Sequence, residues 1–416
     1  MSHIIKIYSL LIGSALLMFG GGLQGLVISV RGAEENFSLT ALGLIGTGWS
    51  IGYIAGSITV PMLVKRVGHI RAYSVMAAIG TITILLNLLM INDVAWIILR
   101  GLSGYCFAGA AMIVESWLNE VTDNKRRGTV FSLYNASNMA FSTIGQIAMS
   151  LTGTKDFVPF VVGAISFICA LLPTALTTKP QPRPLQSARL DLKLLYSRSP
   201  VAAISAFAIG MANGTFGTLA AVYCYEQHIP PSEISFLVAL PVIAGAASQI
   251  PAGRLSDRID RRSVIIGLSF VAAVVAALLV LLNPGDGLPL YILFGVYGLC
   301  AYPLYGIAVA HANDSAKEGE FAKISGGMLL IMGIGLAIGP AIAPFLMAGF
   351  RPVGLFIVTA TFHGALAIST FFRMRVRPHR RETRGPFQPI FTDKGQSPEV
   401  VTLDPRSEDG GAQQAL

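Results

Sequence analysis

GRLSDRIDRR (residues 253–262) follows an apolar run that ends near residue 252, and PMLVKRVGHIR (61–71) follows another that ends near residue 62. Both are short basic turns between long apolar stretches, and 192 residues separate Lys65 from Asp257. In a chain of 416 residues that offset is close to half the length, so the sequence reads as two similar halves. Working outward from the two turns gives twelve apolar spans, at 7–30, 40–62, 72–91, 95–118, 129–151, 157–177, 200–224, 233–252, 263–283, 288–310, 324–348 and 352–372. Most reach the roughly 20 residues that a helix needs to cross a bilayer. The longest internal polar stretch, TTKPQPRPLQSARLDLKLLYSRSP (177–200), falls between the sixth and seventh spans.

Composition agrees with that reading. The chain is 53% hydrophobic and 12% charged, with a mean hydropathy of +0.64, whereas a soluble domain carries about 25% charge. A water-soluble globular enzyme is excluded. Runs such as LLIGSALLMFGGGL (10–23) and VAAVVAALLVLL (271–282) do not alternate in polarity, which excludes a membrane β-barrel. The 44 glycines and 22 prolines suit membrane helices, where they allow close contact and kinks. The expected fold is an all-α membrane protein of twelve transmembrane helices. It divides into a six-helix bundle over 1–178, a linker over 179–199, a second six-helix bundle over 200–372, and a polar, disordered tail over 373–416.

The net charge of +8 would raise the question of nucleic acid in a soluble protein, but the placement of the basic residues answers it. With the first residue inside, the inner segments hold 26 of the 30 Lys and Arg, and the outer loops only Arg31, Lys155 and Arg351. The positive-inside rule then places both termini in the cytoplasm, and no nucleic-acid partner is implied. The first apolar run is long enough to span, so it reads as a helix rather than a cleaved leader. Cys106, Cys169, Cys224 and Cys300 lie in separate spans without C-x-x-C spacing, so neither a disulfide framework nor a metal site is expected. No cofactor is implied, and the sequence contains no G-x-x-x-x-G-K-[ST] nucleotide-binding loop.

Ionisable groups inside spans are expensive and face protein or a wet cavity. Two lie in the fourth span. Arg100 either holds an anionic or polar group of a solute or snorkels to the outer interface. Glu115 either titrates as a coupling group or forms a structural salt bridge. At about 1.5 Å per residue they are roughly 22 Å apart and do not pair. Gly104, Ala108 and Ala111 lie on the stripe between them, which suits a pathway or a tightly packed neighbour. In the fifth span Asn135, Asn138, Ser142 and Gln146 recur on one helical face, as cavity lining or as interhelical hydrogen-bonding groups. Gln24 and Asn213 sit beside glycines at corresponding places in the first and seventh spans. Trp49, Tyr53, Tyr297, Tyr302 and Tyr305 offer aromatic faces for a planar solute or for core packing. Pro303 should kink the tenth span, and His363 reads as a structural histidine.

The paired turns, together with Arg100-Gly-Leu-Ser-Gly104, resemble the motifs of the major facilitator superfamily over residues 1–375. More narrowly, ILRGLSGYCFAGAAMIVESWL (98–118), KRRGTVFSLY (125–134) and GLCAYPLYGIAVAHA (298–312) resemble the YcaD-like branch of bacterial permeases. The resemblance implies a monomeric carrier in the bacterial inner membrane that moves a small molecule by alternating access, with protons as a candidate coupling ion. Riboflavin import by some relatives points to a planar vitamin as substrate. It also implies a cytoplasmic gate at Lys65, Arg66, Arg254, Asp257 and Arg258; Lys65 replaces the acidic residue usual in the first-half turn. The fifth span lacks the G-P-x-x-G motif of many drug exporters, while GIGLAIGP (333–340) occurs in the eleventh. Export of a drug or metabolite by the same fold is the alternative. The opposing class is an intramembrane serine protease, since Gly101-Leu-Ser103-Gly104 matches G-x-S-G, with His311 or His363 as base.

Overall fold

The computed structural model describes residues 2–122, 127–175, 191–317, 320–350, 352–376 and 387. Lys125, Arg126, Arg351, most of the linker and the tail beyond Val376 apart from Phe387 lie outside the described residues. All regular structure among those described is helical: α1 (Ser2–Glu34), α2 (Leu39–Val67), α3 (His69–Leu89), α4 (Asp93–Val121), α5 (Arg127–Thr152), α6 (Val158–Ala175), α7 (Leu192–Arg198), α8 (Pro200–Glu226), α9 (Pro231–Arg258), α10 (Arg261–Leu282), α11 (Leu288–Ala301), α12 (Pro303–Asn313), α13 (Phe321–Phe350) and α14 (Gly354–Val376).

A helix stands at each expected span, with α11 and α12 together forming the tenth. Among the described residues, ten spans are long and apolar enough to cross a membrane. The other two are α6, an apolar helix of 18 residues, and α5, diluted by its polar residues. The tenth span breaks at Tyr302 because Pro303 begins α12 and has no N–H for the carbonyl of Leu299. Boundaries follow local chemistry. Ser38, Asn92 and Asp191 cap α2, α4 and α7 by accepting hydrogen bonds from the amides of Ala41, Ala95 and Leu194. Between α2 and α3 the chain turns at Gly68 with φ +87°, a conformation that favours glycine over any residue with a Cβ.

Glycine contacts repeat between the halves. In the first, a Cβ on Gly22 of α1 would strike the Ser142 carbonyl of α5, and one on Gly52 of α2 would strike the Gly101 carbonyl of α4. In the second, Gly210 of α8 meets the Met332 carbonyl of α13, and Gly298 of α11 meets the Pro241 carbonyl of α9. First span with fifth, and second with fourth, thus recur as seventh with eleventh and eighth with tenth. Without a hydrophobic drive inside lipid, such close backbone approach is how helices hold together. The glycines of GIGLAIGP serve it directly: Gly335 and Gly339 face the carbonyls of Phe207 and Met211 on α8. The small-residue stripe of α4 also packs, with Gly104 against the Trp49 carbonyl and Ala108 beside Gly56 of α2.

Inside the expected linker, α7 is docked. Its Leu195 is fully buried in the core of the second half, and Arg198 makes paired hydrogen bonds of 2.9 and 2.7 Å to Glu320 just before α13. Phe387, from the segment expected to be disordered, lies against Gly253 and Gly306 and donates its amide to the Asp257 carboxylate at 3.1 Å.

Candidate functional site

The two halves are joined where α2 meets α13, at the ends of those helices away from the basic loops. Thr47 donates to the carbonyl of Ala337 at 2.7 Å, and Ser50 lies 3.2 Å from that of Leu336. Pro340 explains the second contact. It has no N–H, so the Leu336 carbonyl one turn earlier lacks its helical partner and is open to a side chain from the other half. Pro344 frees the carbonyl of Pro340 in the same way, and Gly43 lets α2 approach it.

Beside this seam is a cavity of about 110 Å³. Gln24, Trp49, Arg100, Phe107 and Gln146 line it from the first half, and Asn213, Phe216, Val242 and Tyr302 from the second. The guanidinium carbon of Arg100 lies 6.0 Å from the centre of the Trp49 ring, which in turn stacks on Tyr53 at 5.1 Å. The charge therefore rests on an aromatic face, an attractive arrangement for a weakly hydrated guanidinium. Arg100 Nε, Gln24 Nε2, Gln146 Oε1 and both amide ends of Asn213 are buried without a hydrogen-bond partner. Among the described residues, no acidic side chain lines the cavity. Its wall thus exposes a cation, donors and acceptors beside aromatic surfaces.

Six residues picked from the sequence meet here: Gln24, Trp49, Arg100, Gln146, Asn213 and Tyr302. The remaining candidates lie elsewhere. Tyr53 is behind Trp49. Asn135 is buried in α5, and Asn138 lies toward Glu115. Glu115 is 2% exposed and accepts a 2.9 Å hydrogen bond from Tyr134, while Ser14 donates to Asn138 at 2.7 Å and Asn138 is itself linked to Tyr134. A polar chain therefore ties α1, α4 and α5 together. Ser142 is buried where α1 crosses α5. Tyr297 stacks on Phe216 and shares a hydrogen bond with the buried His363 at 3.2 Å, and Tyr305 is buried in the core of the second half. Phe107, Ser29, Ser50, Phe216 and Thr218 line the cavity and were not singled out from the sequence. Serine, threonine and phenylalanine are frequent in membrane helices, and no local signal marks these five.

At the cytoplasmic turns, Lys65, Arg66, Arg254 and Arg258 are exposed. Asp257 pairs with Arg261 at 3.0 Å, and Arg261, 1% exposed, also binds Asp314 at 2.7 Å. The buried centre of the second-half turn is thus Arg261, which crosslinks α9, α10 and the end of α12. The Ser103 hydroxyl donates to Gln24 at 3.3 Å, whereas His363 shares its hydrogen bond with Tyr297 in the other half.

Among the described residues, ten apolar spans long enough to cross a membrane and a polar cavity between two repeated halves form the architecture of a multi-pass membrane transporter. The model of the Major Facilitator Superfamily matches residues 10–227 and again 202–403, and the chain belongs to that family. It is 25% identical over 383 residues to the MFS-type transporter YcaD of Escherichia fergusonii, covering 91% of this chain and 96% of that one. It is 26% identical over 356 residues to an MFS-type transporter of Enterobacter sp. strain 638, covering 85% of this chain and 91% of that one. Among solved structures, the nucleoside transporter NupG superimposes with a TM-score of 0.73 at 17% identity, over 90% of this chain and all of that one. A bacterial homologue of the iron transporter ferroportin, in an inward-facing state, gives 0.71 at 13% identity, over 89% and 99%.

Proposed function

We propose that this chain is a twelve-span secondary active transporter of the bacterial inner membrane, with both termini in the cytoplasm, that moves a small planar organic solute by alternating access. The observation that carries the reading is the cavity at the seam of the two halves, with unpartnered polar groups contributed by each. A solute that engages both walls favours the arrangement in which they approach, which is how binding biases a rocking equilibrium. The α2–α13 contacts support a state closed on the outer side. Import of a planar vitamin, with riboflavin first among candidates, follows from the YcaD-like resemblance and the aromatic walls. Proton coupling falls to Glu115, a carboxylate buried beside Tyr134 and away from the cavity.

The test is a thermal-shift screen of the purified protein against vitamins, amino acids, sugars and drugs, followed by uptake into proteoliposomes with and without an imposed pH gradient. The expected result is stabilisation and uptake of riboflavin or a related planar solute, with accumulation only under the gradient. Stabilisation by drugs alone, with efflux, replaces import by export, and ligand-stimulated proteolysis without flux removes the transporter reading.

A further inference from the structure

The transporter reading leaves the chemistry of the solute open, and the unpartnered atoms of the cavity narrow it. Resting on that reading, we propose that the site recognises a planar heterocycle by an edge that carries a carbonyl next to an N–H, as in a cyclic amide or imide. Four side chains read that edge: Arg100, Gln24 and Gln146 from the first half and Asn213 from the second.

Arg100 Nε is a buried donor without a partner, and no carboxylate lines the cavity to answer its charge. An acceptor on the solute is therefore required, and a cationic solute is repelled. Asn213 decides between the remaining classes. Both its Oδ1 and Nδ2 are buried and unpartnered, so it asks for a donor and an acceptor together, whichever way its amide is turned. A carboxylate satisfies Arg100 but brings no donor for Asn213. Gln24 uses its Oε1 on Ser103 and keeps Nε2 free, and Gln146 keeps Oε1 free, so the cavity presents three donors, Arg100 Nε, Gln24 Nε2 and Asn213 Nδ2, and two acceptors, Asn213 Oδ1 and Gln146 Oε1. Polar groups of this kind pair with water when no solute is present, and a solute that displaces water without replacing its hydrogen bonds loses affinity. The carbonyls of an imide accept from the three donors, and its N–H answers one of the two acceptors, Asn213 Oδ1 or Gln146 Oε1. The flat surfaces are also in place, with Trp49 and Phe107 on one wall and Phe216 and Tyr302 on the other. Because Asn213 is on α8 and the other three are on α1, α4 and α5, the edge is read across the seam, so recognition and approach of the halves are one event.

The experiment measures binding to the full-length protein in detergent by tryptophan-fluorescence quenching and calorimetry, with four flat probes: lumichrome, which carries an imide; N3-methyl-lumichrome, which has lost the N–H; 2-naphthoate, an anion; and N-methylquinolinium, a cation. The expected result is that lumichrome binds best, that N3-methylation weakens binding at least tenfold, and that Asn213→Leu or Asn213→Ser removes most of that tenfold discrimination while lumichrome still binds. Tighter binding of 2-naphthoate, indifference to N3-methylation, or binding of none of the four overturns the proposal. The wild-type series needs no variant to fold. Uptake assays separate the two readings: imide-selective binding without flux of any bound probe removes transport and leaves the recognition, whereas flux of 2-naphthoate in preference to lumichrome removes the recognition and leaves transport.

Discussion

Arg100 and Glu115 are the two charges of α4, and their surroundings give them different work. Arg100 faces the cavity with its Nε unpartnered and its guanidinium over Trp49. Replacing it by alanine is expected to lower uptake in proteoliposomes by at least tenfold, about 1.4 kcal/mol of lost interaction, with normal membrane insertion; wild-type flux would show that it only snorkels. Glu115 is enclosed with Tyr134, and Asn138 continues the hydrogen-bonded chain to Ser14. Glu115→Gln should abolish accumulation driven by a pH gradient while sparing solute exchange, and uphill uptake at the wild-type level would reduce the residue to a structural part. From the sequence both residues stand out, because charges in apolar spans are rare. Which residues partner them does not, since Trp49 and Tyr134 reach them only through helix crossings.

Helix contacts here are set by glycine and proline, which act in opposite senses. Glycine removes a side chain so that backbones touch. Gly52→Ala would drive a Cβ into the Gly101 carbonyl, and such overpacking costs roughly 1–3 kcal/mol, visible as a lowered unfolding midpoint in detergent. Proline removes an N–H and leaves a carbonyl to be claimed. Pro340→Ala would return a helical partner to Leu336 and compete with Ser50, loosening the α2–α13 seam by about 1 kcal/mol. The expected outcome is a several-fold faster reaction of a Ser29→Cys reporter, on a background with the four native cysteines replaced by alanine, with a membrane-impermeant thiol reagent added outside. An unchanged rate would mean that this seam does not control access. The GIGLAIGP run stands out in the sequence by its glycines and proline, but that its carbonyls meet α2 depends on a helix 290 residues away, measured from Thr47 to Ala337.

Across the whole molecule, α7 clamps the connection between the halves onto the second of them. The Arg198 hydrogen bonds hold the Glu320 carboxyl below its ordinary range, and the amide of Lys317 helps. A depressed carboxylate adds stability that is complete above its unfolded value of about 4.3 and is lost as pH falls through the lower folded value. Below that window, amide exchange over Leu192–Arg198, corrected for intrinsic rates, should rise toward the level that Arg198→Ala shows at neutral pH, while Arg198→Ala itself responds little. Arg373 at the end of α14 donates to Tyr196 at 3.1 Å, so the same helix also binds the final span. Leu192, Leu194 and Leu195 were visible inside the polar linker, but a seven-residue helix is too short to be read from periodicity, and burial of Leu195 against α13 is what orders it.

Apolar runs, their number, the basic turns and the half-length offset are local or additive properties, and with no further information they specified a helical membrane protein in two repeated halves. A helix in lipid must satisfy its own backbone, so length and hydropathy alone decide that it forms. Which side chains share a cavity is a different kind of quantity. Trp49, Arg100, Gln146 and Asn213 lie on four helices, and whether they meet depends on crossing angles and rotations that single residues adjust, such as the glycine at 104 and the proline at 340. The tertiary structure therefore placed Tyr297 and Tyr305 in the core, drew Phe107 and Phe216 to the cavity, and left Asn213 with both ends of its amide unanswered.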